Sequence, residues 1–515
     1  MSTANAATIE LHPGQSFEAA AERLAPGDTL IVHAGTYIDS GRIAITVKGT
    51  ADKPVVIRAA EGEARPVIAR RPADPVQNTI DIVGATYLTI SGLEITGNSG
   101  DGGDGINMSG DPSYITLEDL KIHDISVGVN FRSNMHHITV RRTEIYNTYD
   151  TGEGMYIGCH DGSCAVRDSL IENNYIHHTT NADQGDGIEI KKGSHSNIVR
   201  DNVIHDTFYP CILAYGTAGN PRNVIERNVM WNCADAGMQV AADAIIRNNI
   251  IIQGSGGGFT SQDHNGVTPN NVEFVHNTVV GGSPCLRLNS WSNKQGLVFA
   301  NNAVFCPNGN YAIGGIAGVT AVGNVFDKPP AAFPSGSYTV GRSAAEELED
   351  ANARDVYPTE TSTLIGAAAS AWAASDDFNG TSRNATLDAG AYVYSSAGNP
   401  GCEVSAGFKC EAAAPPAPQP APSPEPPPAP EPTPTPEPAP APEPEPAPAP
   451  EPAPEPAPAP EPAPAPSPPG SPAPTAPAES NSNGGGGALD ALGIAVLGGV
   501  LLGLQRARRK RVHIA

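Results

Sequence analysis

The sequence has few basic residues for its length. Across 515 residues, 31 lysine and arginine residues stand against 55 aspartate and glutamate residues, and the formal net charge is −24. A field of this sign repels polyanions at long range, which argues against nucleic acid as a partner. Paired C-x-x-C spacings are also absent, so the cysteines do not indicate zinc. The central two hundred residues lack helical periodicity, which excludes a helical repeat.

A short apolar strand that begins with a small residue recurs through this central region. Successive copies start 23, 26, 33, 24, 26, 21 and 27 residues apart. The copies are Gly105–Met108, Gly128–Phe131, Gly154–Ile157, Gly187–Ile190, Cys211–Ala214, Gly237–Val240, Gly258–Ser261 and Cys285–Leu288. A period of about 20 to 30 residues indicates one turn of a solenoid, because no single unit can bury its apolar face alone.

A second recurring segment has the form Asn-x-apolar. Its asparagines are Asn174, Asn202, Asn228, Asn249, Asn277, Asn302 and Asn324. Alternating apolar residues and a composition rich in β-branched residues favour strands with one face inward. We therefore predict an all-β fold, a parallel β-helix with neighbouring coils about 4.8 Å apart. At that spacing the asparagines form a structural ladder of amide hydrogen bonds.

Composition divides the chain into a large folded part, a linker and a tail. The Pro-, Ala- and Glu-rich stretch has too little apolar bulk to build a core, which predicts an extended spacer. The predicted segments are a remnant or disordered start (1–7), an N-terminal cap and first coil (8–70), the β-helix (71–330), a closing segment (331–411), the linker (412–483) and a Gly run with an apolar, basic tail (484–515).

The stretch Gly49–Ala59 marks the first full coil. It resembles the opening of right-handed parallel β-helix proteins of the pectate-lyase-like superfamily, particularly the chondroitinase B and alginate lyase family. The likeness extends over roughly residues 8–330 and implies a right-handed β-helix. Further on, Asp377–Arg383 and Asp388–Tyr392 resemble a closing motif of secreted β-helix proteins, which implies that the solenoid ends there.

The eight cysteines occur as near neighbours along the chain. Two of the intervals, 22 and 21 residues, are close to one coil, so sequential pairing is geometrically natural. The predicted disulfides are Cys159 with Cys164, Cys211 with Cys233, Cys285 with Cys306, and Cys402 with Cys410. Four bridges would place the domain in an oxidising compartment. The alternative is that some of these cysteines are buried free thiols.

The tail consists of Gly484–Gly487, the apolar run Ala488–Leu504 and the basic cluster Arg506–Arg511. The apolar run is at the lower limit for a membrane span, and the basic end fixes that side in the cytoplasm. This order resembles sorting signals that a rhomboid-type protease of Gram-negative bacteria cuts near the glycines. It implies an extracellular domain, secreted or attached to the bacterial surface. An uncut membrane anchor is the alternative.

Long and charged side chains occupy the outward positions of the recurring strands, where a solvated face would carry short polar residues. Three consecutive coils bring together Tyr156, Glu189, Lys191 and Tyr215, with Arg132 one coil before. The same outward face supplies candidate contacts for a polysaccharide, namely Asn107, Asn130 and Gln239.

Acidic residues cluster beside these positions. Glu153 and Asp186 fall on adjacent coils at the turn that precedes the strand, close to Glu189, and Asp104 lies two coils before Glu153. Carboxylates at this spacing repel each other unless a cation lies between them. Oxygen-only clusters suit Ca²⁺, so Glu153, Asp186 and Glu189 are predicted to bind it.

This collection meets the needs of uronate β-elimination, in which a proton next to the sugar carboxylate must leave. Ca²⁺ or Arg neutralises the carboxylate, and Lys or Tyr takes the proton. In the lyase family named above, an acidic pair and a Lys-Ser run ending in Asn are followed by Arg-His-Gly. Glu189–Asn197 resembles the first part, whereas Ile212–Gly216 lacks the second. The resemblance implies Glu189 as a Ca²⁺ ligand and Lys191 or Lys192 as the base; Arg132, Tyr156 and Tyr215 complete the predicted catalytic set.

Simpler interpretations stay open. A lysine beside a glutamate on such a face is typical of a solvated ion pair worth under about 1 kcal/mol, and the two tyrosines fit stacked aromatic residues. We predict a polysaccharide lyase; the alternative is a noncatalytic surface protein that binds glycan or matrix through the same face. A glycoside hydrolase or epimerase is disfavoured, because the Gly-His-Gly and Arg-x-Lys motifs of polygalacturonases and the Asp-Pro-His of mannuronan epimerases are absent from the predicted coils.

Overall fold

The computed structural model describes residues 6–39, 42–70, 77–97, 103–383, 387–401 and 403–409, which belong to one unit, Met1–Pro415. These residues form three long sheets of parallel strands around a hydrophobic core. A complete coil contributes one strand to each sheet, except that the coil beginning at Met155 contributes two strands to sheet 2 and two to sheet 3. A coil is counted from its strand in sheet 1 and continues through sheets 2 and 3. The architecture is the parallel β-helix that the repeats predict.

The strands of each sheet stack in chain order, one coil above the next. Sheet 1 contains Ala44–Ile45, Ile80–Val83, Ile106–Ser109, Val129–Phe131, Met155–Ile157, Ile188–Ile190, Ile212–Ala214, Ala236–Val240, Gly257–Ser261 and Leu286–Leu288. Sheet 2 contains Thr8–Leu11, Thr29–Val32, Val55–Ala59, Thr86–Ser91, Ser113–Glu118, Met135–Arg141, Val166–Arg167, Leu170–Glu172, Ile198–Arg200, Asn223–Glu226, Ala244–Arg247, Val272–Val275, Val298–Ala300 and Thr320–Val322. Sheet 3 contains Thr36–Tyr37, Val67–Ala69, Glu94–Thr96, Lys121–Ile125, Glu144–Asp150, Tyr175–Thr179, Asn181–Ala182, Val203–Thr207, Val229–Cys233, Ile250–Gln253, Thr278–Gly281, Ala303–Phe305, Asn324–Phe326 and Tyr338–Val340.

Aligned columns of apolar side chains fill the interior. Ile106, Val129, Met155 and Ile188 are successive register partners in sheet 1, and all four are fully buried. Burying a side chain of this size contributes about 1.5 to 3 kcal/mol. Because side chains alternate along a strand, the residues between these apolar positions point out of the coil. The inward column therefore sets the direction of the residues that form the candidate site.

The small residue that opens each recurring strand is required by close backbone contact. A Cβ placed on Gly154 would lie 2.5 Å from the carbonyl oxygen of Gly187 and 2.6 Å from a methyl carbon of Ile176. Larger side chains at Gly154 would push apart the turns that carry the candidate site. The recurrent glycine thus serves the stacking of neighbouring coils.

The seven asparagines form the predicted ladder along the corner between sheets 2 and 3. In the first six, the backbone N–H and the side-chain amide donate to the side-chain oxygen of the next asparagine, with backbone N···Oδ1 distances of 2.9 to 3.1 Å. The last, Asn324, donates to the carbonyl oxygen of Ser337. Every amide also donates to a backbone carbonyl oxygen. All seven side chains are fully buried. The ladder therefore satisfies polar groups that would otherwise be costly to bury.

The N-terminal end of the solenoid is covered by the short helix Phe17–Ala21. Ser16 caps this helix by accepting a hydrogen bond from the backbone N–H of Ala19, and both Phe17 and Ala21 are buried against the first coils. The strands Thr8–Leu11 and Thr29–Val32 beside it already belong to sheet 2. At the other end, sheet 3 continues to Tyr338–Val340, past the expected limit at residue 330.

The closing segment packs back against the coils. It contains the helix Ala344–Glu347, the antiparallel strands Leu348–Asp350 and Asp355–Pro358, and the 3-10 helices Ala351–Ala353 and Ser370–Trp372. Arg383 is buried and donates to the carbonyl oxygens of Asp388 and Gly390 and to the side-chain oxygen of Asn248. Lys409 donates to Asp201 at 2.7 Å and to the carbonyl oxygen of Phe378 at 2.6 Å. The arginine of the closing motif is thus structural.

Three of the four predicted disulfides are formed: Cys159–Cys164, Cys211–Cys233 and Cys285–Cys306. The fourth, between Cys402 and Cys410, lies outside the described residues, as do the predicted linker 412–483 and tail 484–515. None of the helices in the described residues is long and apolar enough to cross a membrane.

Candidate active site

Sheet 1 carries the column of outward side chains that the repeats predict. Asn107 is the register partner of Asn130, Asn130 of Tyr156, and Tyr156 of Glu189, each on the next coil. The column continues through Leu213, Gln239, Thr260 and Arg287. The predicted coil-by-coil alignment of these residues is confirmed.

Glu153 and Asp186 occupy turns that lead from sheet 3 into sheet 1. The backbone N–H of Gly128 donates to the carbonyl oxygen of Glu153 at 3.0 Å, and that of Gly154 donates to the carbonyl oxygen of Asp186 at 2.9 Å. These bonds stack the two turns on neighbouring coils. One carboxylate oxygen from each of Glu153, Asp186 and Glu189 lies within 4.8 Å of the other two, and all three residues are buried.

Burial controls the charge of this acidic cluster. It raises the pKa of Glu153 to about 7, with a further contribution from the Glu189 carboxylate. The pKa of Asp186 is raised well above its usual value, first by burial and then by Glu189 and Glu153. A carboxylate that holds its proton so strongly lacks a positive partner close enough to compensate its burial.

Four buried oxygens of the cluster accept no hydrogen bond from the described part of the chain: both of Glu153, Oδ1 of Asp186 and Oε2 of Glu189. Most buried polar atoms in proteins have a partner. A cation between the three carboxylates would supply the missing contacts and reduce their repulsion. Ca²⁺ prefers ligands of this all-oxygen kind, so these residues fit the ion.

Lys191 lies beside the cluster between two aromatic rings. Its Nζ forms an ion pair with Oε1 of Glu189 and lies 4.4 Å from the ring centroid of Tyr156 and 4.9 Å from that of Tyr215. The Tyr215 hydroxyl donates to the same Glu189 oxygen at 2.9 Å. The rings attract the ammonium group by cation–π interaction. Lys191 is therefore fixed in orientation relative to the carboxylates.

The positions of Tyr156 and Tyr215 suit holding Lys191 in place better than they suit proton transfer. Burial raises the pKa of Tyr156 and of Tyr215, and the Glu189 carboxylate raises both further. A tyrosine that acts as a base needs a lowered pKa, since the phenolate must be populated. Their predicted catalytic role stays a prediction, while their contacts with Lys191 and Glu189 are direct.

A hairpin from a later coil covers Tyr215. His264 and Val267 exchange two backbone hydrogen bonds of 2.9 Å, and Asn265 and Gly266 between them have φ angles of 46° and 75°. Positive φ at both central residues is what a type I′ turn requires. The amide of Asn265 donates to the Tyr215 hydroxyl at 3.4 Å, and the His264 ring centroid lies 5.0 Å from that of Tyr215. The hairpin thus forms part of the wall of the site.

The outward side chains of the cluster are therefore not solvated. Glu189 is 1 % exposed and Lys191 is 2 % exposed. The interpretation of these residues as a solvated ion pair is therefore wrong. Both side chains point out of the coil, but the tyrosines and the hairpin shield them from water. Another molecule can contact the Lys191 amine only if a tyrosine ring or the hairpin His264–Val267 moves away from it.

The other predicted site residues lie at different distances from the cluster. Lys192 is exposed and faces Gly162 in the loop closed by Cys159 and Cys164, so it does not join Lys191. Arg132 is exposed, and its charge lowers the pKa values of Asp104 and Tyr156 against the dominant effect of burial. Among the predicted substrate contacts, Gln239 is buried two strands beyond Glu189.

The remaining predicted substrate contacts are engaged within the protein. Asn107 donates to Asp81 at 2.7 Å, and Asn130 donates to Asp104 at 2.9 Å. Burial raises the pKa of Asp104 to about 6. Sequence reasoning assigned no role to Asp81, nor to the hairpin over Tyr215, although the Asn-Gly pair at 265–266 is a known hairpin signal.

Two sequence families match parts of the chain. The family described as "Pel9A-like, right handed beta helix region" matches residues 1–165, and the family described as "Right handed beta helix region" matches residues 217–304. These matches support the pectate-lyase-like superfamily. Within this superfamily, pectate lyase PEL9 of Emericella nidulans is 28% identical over an alignment of 207 residues that covers 38% of this chain. The alignment covers 43% of that enzyme, less than half of its length.

Solved structures also resemble the fold of this chain. The structure described as the complex of XylC with xylose has a TM-score of 0.51 and 11% identity, and it covers 75% of this chain and 98% of its own. The crystal structure of pectate lyase Pel9A has a TM-score of 0.49 and 14% identity, with 75% and 96% of the two chains covered. The first likeness supports the β-helix architecture alone.

Proposed function

We propose that the protein is a Ca²⁺-dependent polysaccharide lyase that cleaves a uronate-containing polysaccharide by β-elimination. The observation that carries the proposal is the juxtaposition of three buried carboxylates with a lysine held between two tyrosines; four oxygens of these carboxylates accept no hydrogen bond from the residues that the structure describes. The relatives are named as lyases, which supports a polysaccharide lyase in general but does not identify the substrate.

Each residue has a separate task in this proposal. Glu153, Asp186 and Glu189 would hold Ca²⁺, which would supply positive charge to neutralise the carboxylate of the uronate and so acidify the adjacent C–H. Lys191 takes that proton as a neutral amine, the electron pair forms a carbon–carbon double bond, and the bond to the glycosidic oxygen breaks. The departing oxygen then takes a proton from water or a neighbouring acid.

A noncatalytic glycan-binding protein is the second candidate. Burial of Lys191 and its ion pair with Glu189 favour this alternative, because a base must be accessible and deprotonated to react. The same sheet 1 face would then bind polysaccharide without cleaving it.

We further propose an extracellular location. The three disulfides support an oxidising compartment. Attachment to a bacterial surface through the membrane, or release by a sorting protease, rests on the sequence of residues 484–515 alone.

The test is absorbance near 235 nm during incubation with pectate, alginate or chondroitin, because elimination creates a conjugated double bond and binding does not. Lys191→Ala should lower the rate at least about a hundredfold, the scale of a lost general base. Lys192→Ala is the matched control, being an exposed neighbour, and should stay within about twofold of the wild-type rate.

Chelation by EDTA should remove the activity and added Ca²⁺ should restore it. Wild-type protein that binds these polymers without any rise in absorbance would support the noncatalytic candidate. Full activity of Lys191→Ala would refute the assignment of the base.

A further inference from the structure

Two neighbouring aromatic residues stand exposed at the edge of the candidate site. Phe208 is 44 % exposed and Tyr209 is 37 % exposed, and their ring centroids are 5.7 Å apart with planes inclined by 56°. Exposing one large aromatic ring is ordinary, but two consecutive exposed rings leave a concentrated apolar surface in contact with water. The outward column on sheet 1 does not include them, so the repeat pattern assigns them no part in the site.

The turn that presents these rings is held firmly in place. The Thr207 hydroxyl donates to the carbonyl oxygen of Tyr209 at 2.6 Å, and Cys211 just beyond is bonded to Cys233. Gly185 of the preceding coil accepts a hydrogen bond from the Tyr209 N–H at 3.4 Å. A Cβ on Gly185 would lie 3.2 Å from the Cβ of Phe208, so the two turns are in close contact. The exposure is therefore built into the fold.

This turn stacks directly on the turn that carries Asp186. The N–H of Gly187 donates to the carbonyl oxygen of Pro210 at 3.1 Å, which places Phe208–Pro210 one coil beyond Gly185–Gly187. Neighbouring coils are about 4.8 Å apart. The aromatic pair is thus adjacent to the proposed cation site, at the corner between sheets 3 and 1.

We propose that Phe208 and Tyr209 form a stacking platform for a pyranose ring of the polysaccharide, next to the sugar whose carboxylate meets the cation. The inference rests on the proposed function and deepens it by assigning a neighbouring subsite. A pyranose ring offers C–H groups on its faces, and aromatic faces carry the negative charge that attracts them. Rigid aromatic side chains give a large contact area at little cost in conformational entropy.

The position of Phe208 and Tyr209 beside the acidic cluster favours a sugar ring as the group that binds to them. A polymer chain that places one carboxylate at the cluster must pass along the surface on one side of it, and the aromatic pair covers the side toward the later coils. The adjacent cluster of Glu153, Asp186 and Glu189 would attract an anionic chain through a bound cation. The C–H groups on the ring faces of a sugar, which an acidic peptide lacks, then suit the aromatic pair. The platform therefore recognises the uncharged ring faces of the same polymer.

The experiment compares initial rates over a range of polymer concentrations for wild type, Phe208→Ala, Tyr209→Ala and the double variant, using the full chain. Loss of a stacking ring should raise KM about threefold to tenfold per ring, with kcat changed less than about twofold. Phe208→Trp keeps a ring face and should retain the wild-type KM. Phe408→Ala is the matched control, because Phe408 is 43 % exposed and packs near Tyr175 on sheet 3; it should behave as wild type.

Ca²⁺ affinity, measured by calorimetric titration, separates a sugar contact from support of the Asp186 turn. An unchanged affinity in the double variant supports the platform, whereas a parallel loss of Ca²⁺ affinity and kcat overturns it. A KM equal to that of wild type also overturns it and leaves the proposed lyase standing.

If wild type shows no elimination, retardation in gels containing the polymers replaces the kinetic measurement. Retardation of wild type and Phe408→Ala but not of the double variant supports the platform while the lyase fails. Absence of retardation in the wild type overturns both.

Discussion

Glu153 combines complete burial with two carboxylate oxygens that accept no hydrogen bond from the described residues. Its pKa is raised to about 7 in the folded protein, against an ordinary value near 4.5. The folded protein therefore holds a proton on Glu153 between these two pH values that the unfolded chain has lost. Stability without metal falls as the pH rises through this interval, since unfolding then releases the proton.

Replacing Glu153 with Gln removes this dependence. In EDTA at pH 8, Glu153→Gln should be more stable than wild type by about 1 to 3 kcal/mol, because burying a neutral amide avoids the cost of ionising the acid. In Ca²⁺ the order should reverse, since the variant loses a ligand. Calorimetric melting at pH 5 to 8, in EDTA and in Ca²⁺, measures both effects.

Glu349→Gln is the control for this comparison, because Glu349 is exposed. It should change the melting temperature little at any pH. Equal pH dependence of Glu153→Gln and wild type would contradict the assigned pKa.

The residues of the site were predictable where the repeat carries them. Tyr156, Glu189 and Lys191 follow from the period, because one inward apolar residue fixes the direction of its neighbours on every coil. The burial of Glu189 and Lys191 was not predictable in this way. It depends on the hairpin His264–Val267, which departs from the repeat and reaches Tyr215 from 50 residues further along the chain.

At the scale of elements, the asparagine ladder is the feature that joins one coil to the next through side chains. Asn228 is an interior member: its oxygen accepts from Asn202, and its amide donates to Asn249 and to the carbonyl oxygen of Val199. Removing this side chain takes the acceptor from the backbone and side-chain N–H groups of Asn202 and a donor from the carbonyl oxygen of Val199, while the backbone N–H of residue 228 still donates to Asn249. Buried groups left in this state cost about 1 to 3 kcal/mol each.

Asn228→Ala should therefore lower the free energy of unfolding by about 2 to 4 kcal/mol. Urea titration followed by far-ultraviolet circular dichroism measures the change. Asn352→Ala, at an exposed asparagine outside the ladder, should stay within about 0.5 kcal/mol of wild type. Equal stabilities of the two variants would show that the ladder contributes no more than a surface amide.

The contacts of elements that repeat could be predicted, whereas the contacts made by segments outside the repeat could not. The spacing of the asparagines predicts the ladder, since a side chain that satisfies its equivalent one coil away must recur with the coil. The contact of Lys409 with Asp201 has no such signal, because it joins positions 208 residues apart through a segment without a period. The turn Phe208–Pro210 was equally hidden, since its aromatic residues occur in only one coil.

At the scale of the whole molecule, disulfides tie the later coils together. Cys211–Cys233 closes a loop of 22 residues, about one coil, whereas Cys159–Cys164 closes a loop of 5. A cross-link stabilises mainly by reducing the freedom of the unfolded chain, and the effect grows with loop length. The longer loop should therefore matter more for global stability.

The double variant Cys211→Ala and Cys233→Ala should lose about 3 kcal/mol of unfolding free energy, and Cys159→Ala with Cys164→Ala about 2 kcal/mol. Chemical denaturation of both variants beside wild type measures the losses. Wild type treated with reductant should lose more than their sum, because reductant also opens Cys285–Cys306. A larger loss for the shorter loop would mean that the Cys159–Cys164 loop contributes through contacts in the folded protein rather than through chain entropy.

The asparagine ladder also limits the ways in which this solenoid can gain or lose residues. Each member accepts from the coil before and donates to the coil after, so an added or deleted whole coil preserves the chain of amides, as the existing spacings of 21 to 28 residues already illustrate. A fragment of a coil would interrupt it. We therefore expect this solenoid to tolerate the addition or removal of complete coils, and insertions of other lengths at the corners, where the hairpin His264–Val267 and the turn Phe208–Pro210 are found.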